Sequence, residues 1–202
     1  PLYSSAASDV YKRQAWGRQL VVYVPGTQSI SLAGTNPLNM RSTLVALGGG
    51  ASAPSQTAIV DALNQLGAGQ GDKVTFVGHS QGALISANLA QGHQDYEVSG
   101  LVSFGGPISH IDLKVPTIAV GHQGDPVPLL GGGVNPLREH WVTISAPGDF
   151  DDLVDAHSMA GYVETSKNLQ TNPDLGLSRV SSAIWDSPEM SGLEYVFEIR
   201  RG

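Results

Sequence analysis

The feature that most restricts the fold of this 202-residue chain is a glycine-flanked pentapeptide, Gly78-His79-Ser80-Gln81-Gly82, set between two contrasting segments. Before it, Lys73 to Val77 (KVTFV) is a short apolar run rich in β-branched and aromatic residues, which predicts a buried strand. After it, Gln81 to Gln91 is rich in Ala and Leu and predicts a helix. A chain that passes from buried strand to helix in so few residues must turn sharply. Glycine on either side of the turn, followed by Ala83 and Ala87, lets the helix come close to the sheet.

Further apolar runs extend this pattern. Gln19 to Val24 reads as a strand stopped by Pro25-Gly26. Ser55 is placed to cap a helix carrying Ile59, Leu63 and Leu66 on one face and ended by Gly67. Leu101 to Phe104, Val115 to Val120 and Trp141 to Ser145 read as three more strands. A helix from about His157 to Leu169 is expected to pack through Met159, Tyr162 and Val163. The connections on either side of Val115 to Val120 show no clear helical period. Leu193 to Arg200 alternates, as an edge strand or hairpin partner does. Strands separated by helices or long crossovers predict an α/β fold: a small, mostly parallel sheet with helices on both faces, a three-layer sandwich.

Residues 1–14 stand apart in composition. Asp9-Val10-Tyr11-Lys12-Arg13-Gln14 matches a translated transposon mosaic end of the kind used to prepare sequencing libraries, so this segment is expected to be an adapter artefact or a tail. On that reading, residues 15–202 form one domain, and any signal peptide or first strand before Ala15 is not visible. Length alone leaves no room for a second full domain. From Thr27 to Pro54 the chain is polar and glycine-rich and reads as a long loop, with Ser29 to Ala53 the place where a lid would lie.

Bulk properties narrow the function classes. A net charge of -7 without a Lys/Arg cluster disfavours nucleic acid. No apolar run reaches the roughly 18 residues of a membrane span, so the chain is expected to be soluble, whether secreted or cytoplasmic, and monomeric. The absence of cysteine rules out disulfides, thiolate metal sites and a cysteine nucleophile. No glycine-rich loop with Lys-Ser or Lys-Thr is present for phosphate binding.

The pentapeptide fits G-x-S-x-G in the strand–turn–helix setting where it exposes a nucleophilic serine, here Ser80. A serine hydroxyl needs a base, and six histidines compete. His79 adjoins the serine but is expected to pack beneath the turn. His93 and His110 lie in polar stretches, and His122 and His140 come before or too near the acid candidate. His157 follows the fifth strand through the acidic stretch Asp149 to Asp155 and is the choice for the base. The acid belongs between serine and histidine in sequence, on a loop at the same sheet edge. Asp125, in Gly121-His122-Gln123-Gly124-Asp125-Pro126-Val127-Pro128, fits best, and Asp112 is the alternative on order alone. An oxyanion hole calls for two backbone N–H groups. One is assigned to Gln81; the other is assigned to the loop after the first strand, at Thr27 with Gln28 second.

Taken together, VVYVPGT (Val21 to Thr27), VTFVGHSQGA (Val74 to Ala83), GHQGDPVP (Gly121 to Pro128) and DAHSMAGY (Asp155 to Tyr162) resemble the successive signatures of cutinase-like and PE-PPE-type α/β-hydrolases. The resemblance spans Gln19 to about Tyr162. It implies a central parallel sheet, a Ser-Asp-His triad without cofactor or metal, and hydrolysis of carboxylic esters, small or lipid, in an open cleft. Cutinases carry disulfides and this chain has no cysteine, so only the broader hydrolase assignment is carried over. A thioesterase or acyltransferase of the same fold is the enzymatic alternative, and a non-catalytic hydrolase-like binding domain is the alternative from another class.

Overall fold

The computed structural model describes residues 18–26, 52–92, 95–169 and 175–185. Five strands lie in one sheet: β1 (Gln19–Val24), β2 (Lys73–His79), β3 (Glu97–Phe104), β4 (Thr117–His122) and β5 (Trp141–Ala146). Their spatial order equals their chain order, and every neighbouring pair is parallel. Parallel pairing forces each connection to cross back over a face of the sheet, so all five carboxyl ends share one rim.

Helix α1 (Ser52–Gln65) connects β1 to β2, and α2 (Gln81–Gln91) connects β2 to β3. On that face Ile59 and Leu63 of α1 and Ala83, Leu84 and Ala87 of α2 pack with Val74, Phe76 and Leu101 of the sheet. The β3–β4 connection has no helix, and its Ile108, Ile111 and Leu113 extend the same core. A one-turn helix α3 (Leu153–Ala156), then α4 (Met159–Leu169) and α5 (Leu175–Ile184), complete the described elements. Tyr162 of α4 and Val180 and Ile184 of α5 pack with Val102, Ile118 and Val120 on the opposite face. Side chains alternate along the strands, so a sheet buried on both sides is apolar at most central positions, as β2 and β3 are, and the buried hydroxyls of Thr75 and Ser99 bond each other (2.8 Å). The architecture is a three-layer α/β sandwich.

The five strands expected between Gln19 and Ser145 are present, β1 with the expected ends and the others with shifted ends. β3 begins four residues earlier than expected, and a register irregularity at Val74/Thr75 accommodates the extra residue, Ser99, opposite β2. β4 runs Thr117–His122 rather than Val115 to Val120. Helix α1 starts at Ser52, so Ser55 lies within it and is not its cap. Its end is as expected: Gly67 takes φ +67°, and Leu66 N–H still bonds the Ala62 carbonyl (3.0 Å).

Two expectations for the last third are corrected. His157 does not begin a helix but follows α3, and α4 starts at Met159. Nor do Met159 and Val163 carry the packing of α4, since both are about half exposed (46% and 45%) while Tyr162 is fully buried. Helix α5 was not anticipated, although Leu177, Val180 and Ile184 fall at helical spacing. Residues 1–14, residues 29–51 of the stretch Ser29 to Ala53 where a lid is expected, His93 and Leu193 to Arg200 lie outside the described residues.

At the rim opposite the carboxyl ends, Arg18 fastens the entry of β1. Its guanidinium bonds the Leu66 and Gly67 carbonyls after α1 (2.8 and 2.5 Å) and the Asp72 carboxylate (2.6 Å). Burial of Asp72 opposes its ionisation, but the bonds from Arg18 and Gly69 outweigh it and leave the carboxyl below its ordinary pKa.

Candidate active site

The turn from β2 into α2 is built by close backbone approach. A Cβ on Gly82 would stand 2.1 Å from the Val24 carbonyl oxygen, and one on Gly78 would stand 2.5 Å from the backbone of Ala83. Neither position admits a side chain. Between them Ser80 takes φ 55°, ψ -125°, and it is the one non-glycine residue with positive φ among the described residues. Such a conformation costs of order 1–3 kcal/mol and persists only where surrounding bonds hold it. Here Ser80 N–H donates to the Phe104 carbonyl at the end of β3 (2.9 Å), and the Ser80 carbonyl accepts from Ala83 (3.1 Å). A strained serine on a sharp strand-to-helix turn, in an all-parallel sheet covered on both faces, defines an α/β-hydrolase fold.

His157 arrives from the opposite face. Asp152 caps α3 by accepting from the Val154 and Asp155 N–H groups (2.8 and 2.9 Å), and His157 follows that single turn with its N–H on the Leu153 carbonyl (3.1 Å). The acidic stretch before His157 is therefore a capped turn that fixes where the imidazole leaves the chain. Asp125 sits in the loop after β4, its Oδ1 accepting from Val127 N–H at the start of a short 3-10 turn (2.9 Å).

These three residues meet at the rim. His157 Nδ1 lies 2.7 Å from Asp125 Oδ2, and His157 Nε2 lies 2.8 Å from Ser80 Oγ. A carboxylate can only accept, so Nδ1 bears the hydrogen. Nε2 then has a free lone pair facing the Ser80 hydroxyl. All three residues are buried, so water competes little for these bonds.

The other histidines take different places. His79 does not lie beneath the turn alone: its ring stands 4.9 Å from the His157 ring, and its Nε2–H donates to the His157 carbonyl (3.0 Å). Burial, with His157 close by, holds His79 below the ordinary imidazole range, so it stays neutral and supports the His157 backbone. His122 is buried with both ring nitrogens bonded, to the Ala156 carbonyl (2.7 Å) and Thr165 Oγ1 (2.8 Å). His140 bonds the Leu113 carbonyl (3.1 Å) far from Ser80 in the fold, and His110 is exposed. Asp112, the alternative acid, sits exposed before β4 and pairs with Lys114 and Arg138. It does not join the rim group.

Gln81 is the first residue of α2, directly after Ser80. Gly26 follows β1 so closely against the turn that a Cβ there would lie 3.1 Å from Ser80 Cβ. The end of the first strand thus brings Gly26 against the serine, while Thr27 and Gln28 lie outside the described residues.

One partner of this group escaped sequence reasoning. The Tyr162 hydroxyl bonds Asp125 Oδ2 at 2.6 Å. Its signal was present but weak: a tyrosine on the buried face of a helix needs a partner for its hydroxyl, and Tyr162 lies five residues after His157.

No protein-family model matches the chain, and no curated protein matches it. Among solved structures it is similar to a chain from Pectobacterium atrosepticum described as a candidate YdeN-like hydrolase. Identity is 15%, covering 71% of this chain and 84% of that one, with a TM-score of 0.35. A likeness that loose carries no argument, and the fold assignment rests on the sheet and the serine turn.

Proposed function

We propose that this chain is a serine hydrolase that cleaves carboxylic esters through an acyl-enzyme on Ser80. The observation that carries this reading is the unbroken chain of hydrogen bonds from Ser80 Oγ through His157 to Asp125, starting at a serine held in a strained turn. His157 Nε2 takes the hydroxyl proton as Ser80 Oγ attacks the carbonyl carbon. The imidazolium so formed is stabilised by Asp125 and returns the proton to the leaving alkoxide, releasing the alcohol. Water, deprotonated by the same nitrogen, then attacks the acyl-enzyme and releases the acid and the free serine.

The charge that develops on the carbonyl oxygen falls to the Gln81 N–H at the positive end of α2 and to a second N–H, assigned to Thr27 with Gln28 as second choice. Nothing in these steps calls for a metal or cofactor. The ester preference rests on the motif resemblance to cutinase-like and PE-PPE-type hydrolases, since the same relay serves thioesterases and acyltransferases.

The test is turnover of a short p-nitrophenyl ester. Ser80→Ala and His157→Ala should each lower it by about a millionfold. His79→Ala, which removes only a support, should lose far less. A folded wild-type protein that turns over neither ester nor thioester would favour the binding-domain reading.

A further inference from the structure

We infer that Tyr162 is a positioning residue of the proposed relay: its hydroxyl gives its proton to Asp125 Oδ2, the same oxygen that receives His157 Nδ1–H, and so governs the charge the imidazole meets. The inference rests on the serine-hydrolase reading and deepens it.

The direction of the Tyr162 bond follows from hydrogen counting. The phenol has one proton and also lies 3.3 Å from the His122 backbone N–H, which can only donate. The hydroxyl therefore accepts from His122, and its own proton goes to Asp125, 2.6 Å away. Burial, then the neighbouring carboxylate, raises the phenol well above its ordinary pKa, so that proton remains in place at any pH where the enzyme would work.

The surroundings leave the ring no freedom. Tyr162 stacks on His122 with centroids 4.0 Å apart and planes 7° from parallel, and His122 is itself held by Ala156 and Thr165. Gly105, at φ +59°, closes the other side: a Cβ there would lie 2.9 Å from the Tyr162 hydroxyl and 3.0 Å from Asp125 Oδ2. With Val127 N–H on Oδ1, the carboxylate has donors on both oxygens and a fixed plane. Because Tyr162 is fully buried, it acts on substrate only through Asp125 and His157.

Two changes at position 162 test this. Tyr162→Phe removes the hydroxyl and keeps the ring. By letting the Asp125 carboxylate turn out of line with His157 Nδ1, it should lower kcat about tenfold and leave KM unchanged. With one donor gone, Oδ2 holds the imidazolium more strongly, so the acid limb of kcat/KM and the NMR titration of His157 should both move to higher pH. Site-specific 3-fluorotyrosine, nearly isosteric and a stronger donor, should move both to lower pH, and it covers the case in which Tyr162→Phe folds poorly. A melting temperature that falls while kcat, the acid limb and the His157 titration all stay put would overturn the inference. An inactive wild type would instead overturn the hydrolase reading, and the His157 titration would still report whether Tyr162 tunes the relay.

Discussion

Ser80 Oγ and His157 Nε2 stand 2.8 Å apart although 77 positions separate them in the chain. The parallel sheet produces this meeting. β2 ends in the serine turn, and β5 ends at the same rim, where the capped turn α3 returns the chain over the sheet. Between them in space, the loop after β4 contributes Asp125. Consequences for stability and activity follow from each of these placements.

Asp125 is assigned to hold His157 in the tautomer with hydrogen on Nδ1. Asp125→Asn keeps size and shape but can offer an N–H where His157 needs an acceptor, which favours the opposite tautomer. Turnover of a short ester should fall about ten-thousandfold with the fold intact by circular dichroism. A loss below tenfold would mean that the carboxylate does not orient the imidazole.

The serine turn tolerates no side chain at Gly82, because a methyl there meets the Val24 and Pro25 carbonyl oxygens at 2.1 and 2.5 Å. Gly82→Ala should cost at or above the upper end of the roughly 1–3 kcal/mol typical of overpacking, since backbone rather than a movable side chain is in the way. Gly121→Ala, whose methyl would rest 3.5 Å from Pro128, is the control and should be near neutral. Urea denaturation of both variants checks the contrast, and equal stabilities would refute the packing argument.

His79 is held below its ordinary pKa of 6.5, chiefly by burial. The folded protein therefore binds this proton less readily than the unfolded chain does. Its contribution to stability is fully present above pH 6.5 and is lost as the pH falls from there through the folded pKa. His79→Gln keeps an N–H donor for the His157 carbonyl and removes the titration. Thermal melts from pH 7.5 down to about 4.5 should show a shallower acid loss in the variant than in wild type. Identical slopes would show that His79 protonates as easily folded as unfolded.

Much of this was legible in the sequence because it depends on local pattern. The apolar runs of β1, β2 and β5 and the small residues of α2 announce their own structure, and the glycines around Ser80 announce the turn. Asp125 and His157 were chosen through chain order and their positions after strands, which a parallel sheet converts into proximity to Ser80. The bond from Tyr162 to Asp125 was not legible, since it depends on how α4 rotates against β4, and that rotation is set by His122 reaching Ala156 and Thr165. The ends of β3 and β4 were misplaced for a similar reason: Glu97 and Val98 join β3 by pairing with Lys73 and Val74, and β4 starts only at Thr117, where pairing with Leu101 and Trp141 begins, so neighbours distant in sequence and not local hydropathy set these ends.

The most direct test of the central claim is reaction with a fluorophosphonate, which modifies a serine only when a neighbouring base has made it nucleophilic. Intact mass and peptide mapping should find one adduct per chain, on Ser80, absent in Ser80→Ala and strongly slowed in His157→Ala. A folded wild-type protein that remains unmodified, or that carries its adduct at another residue, would contradict the account.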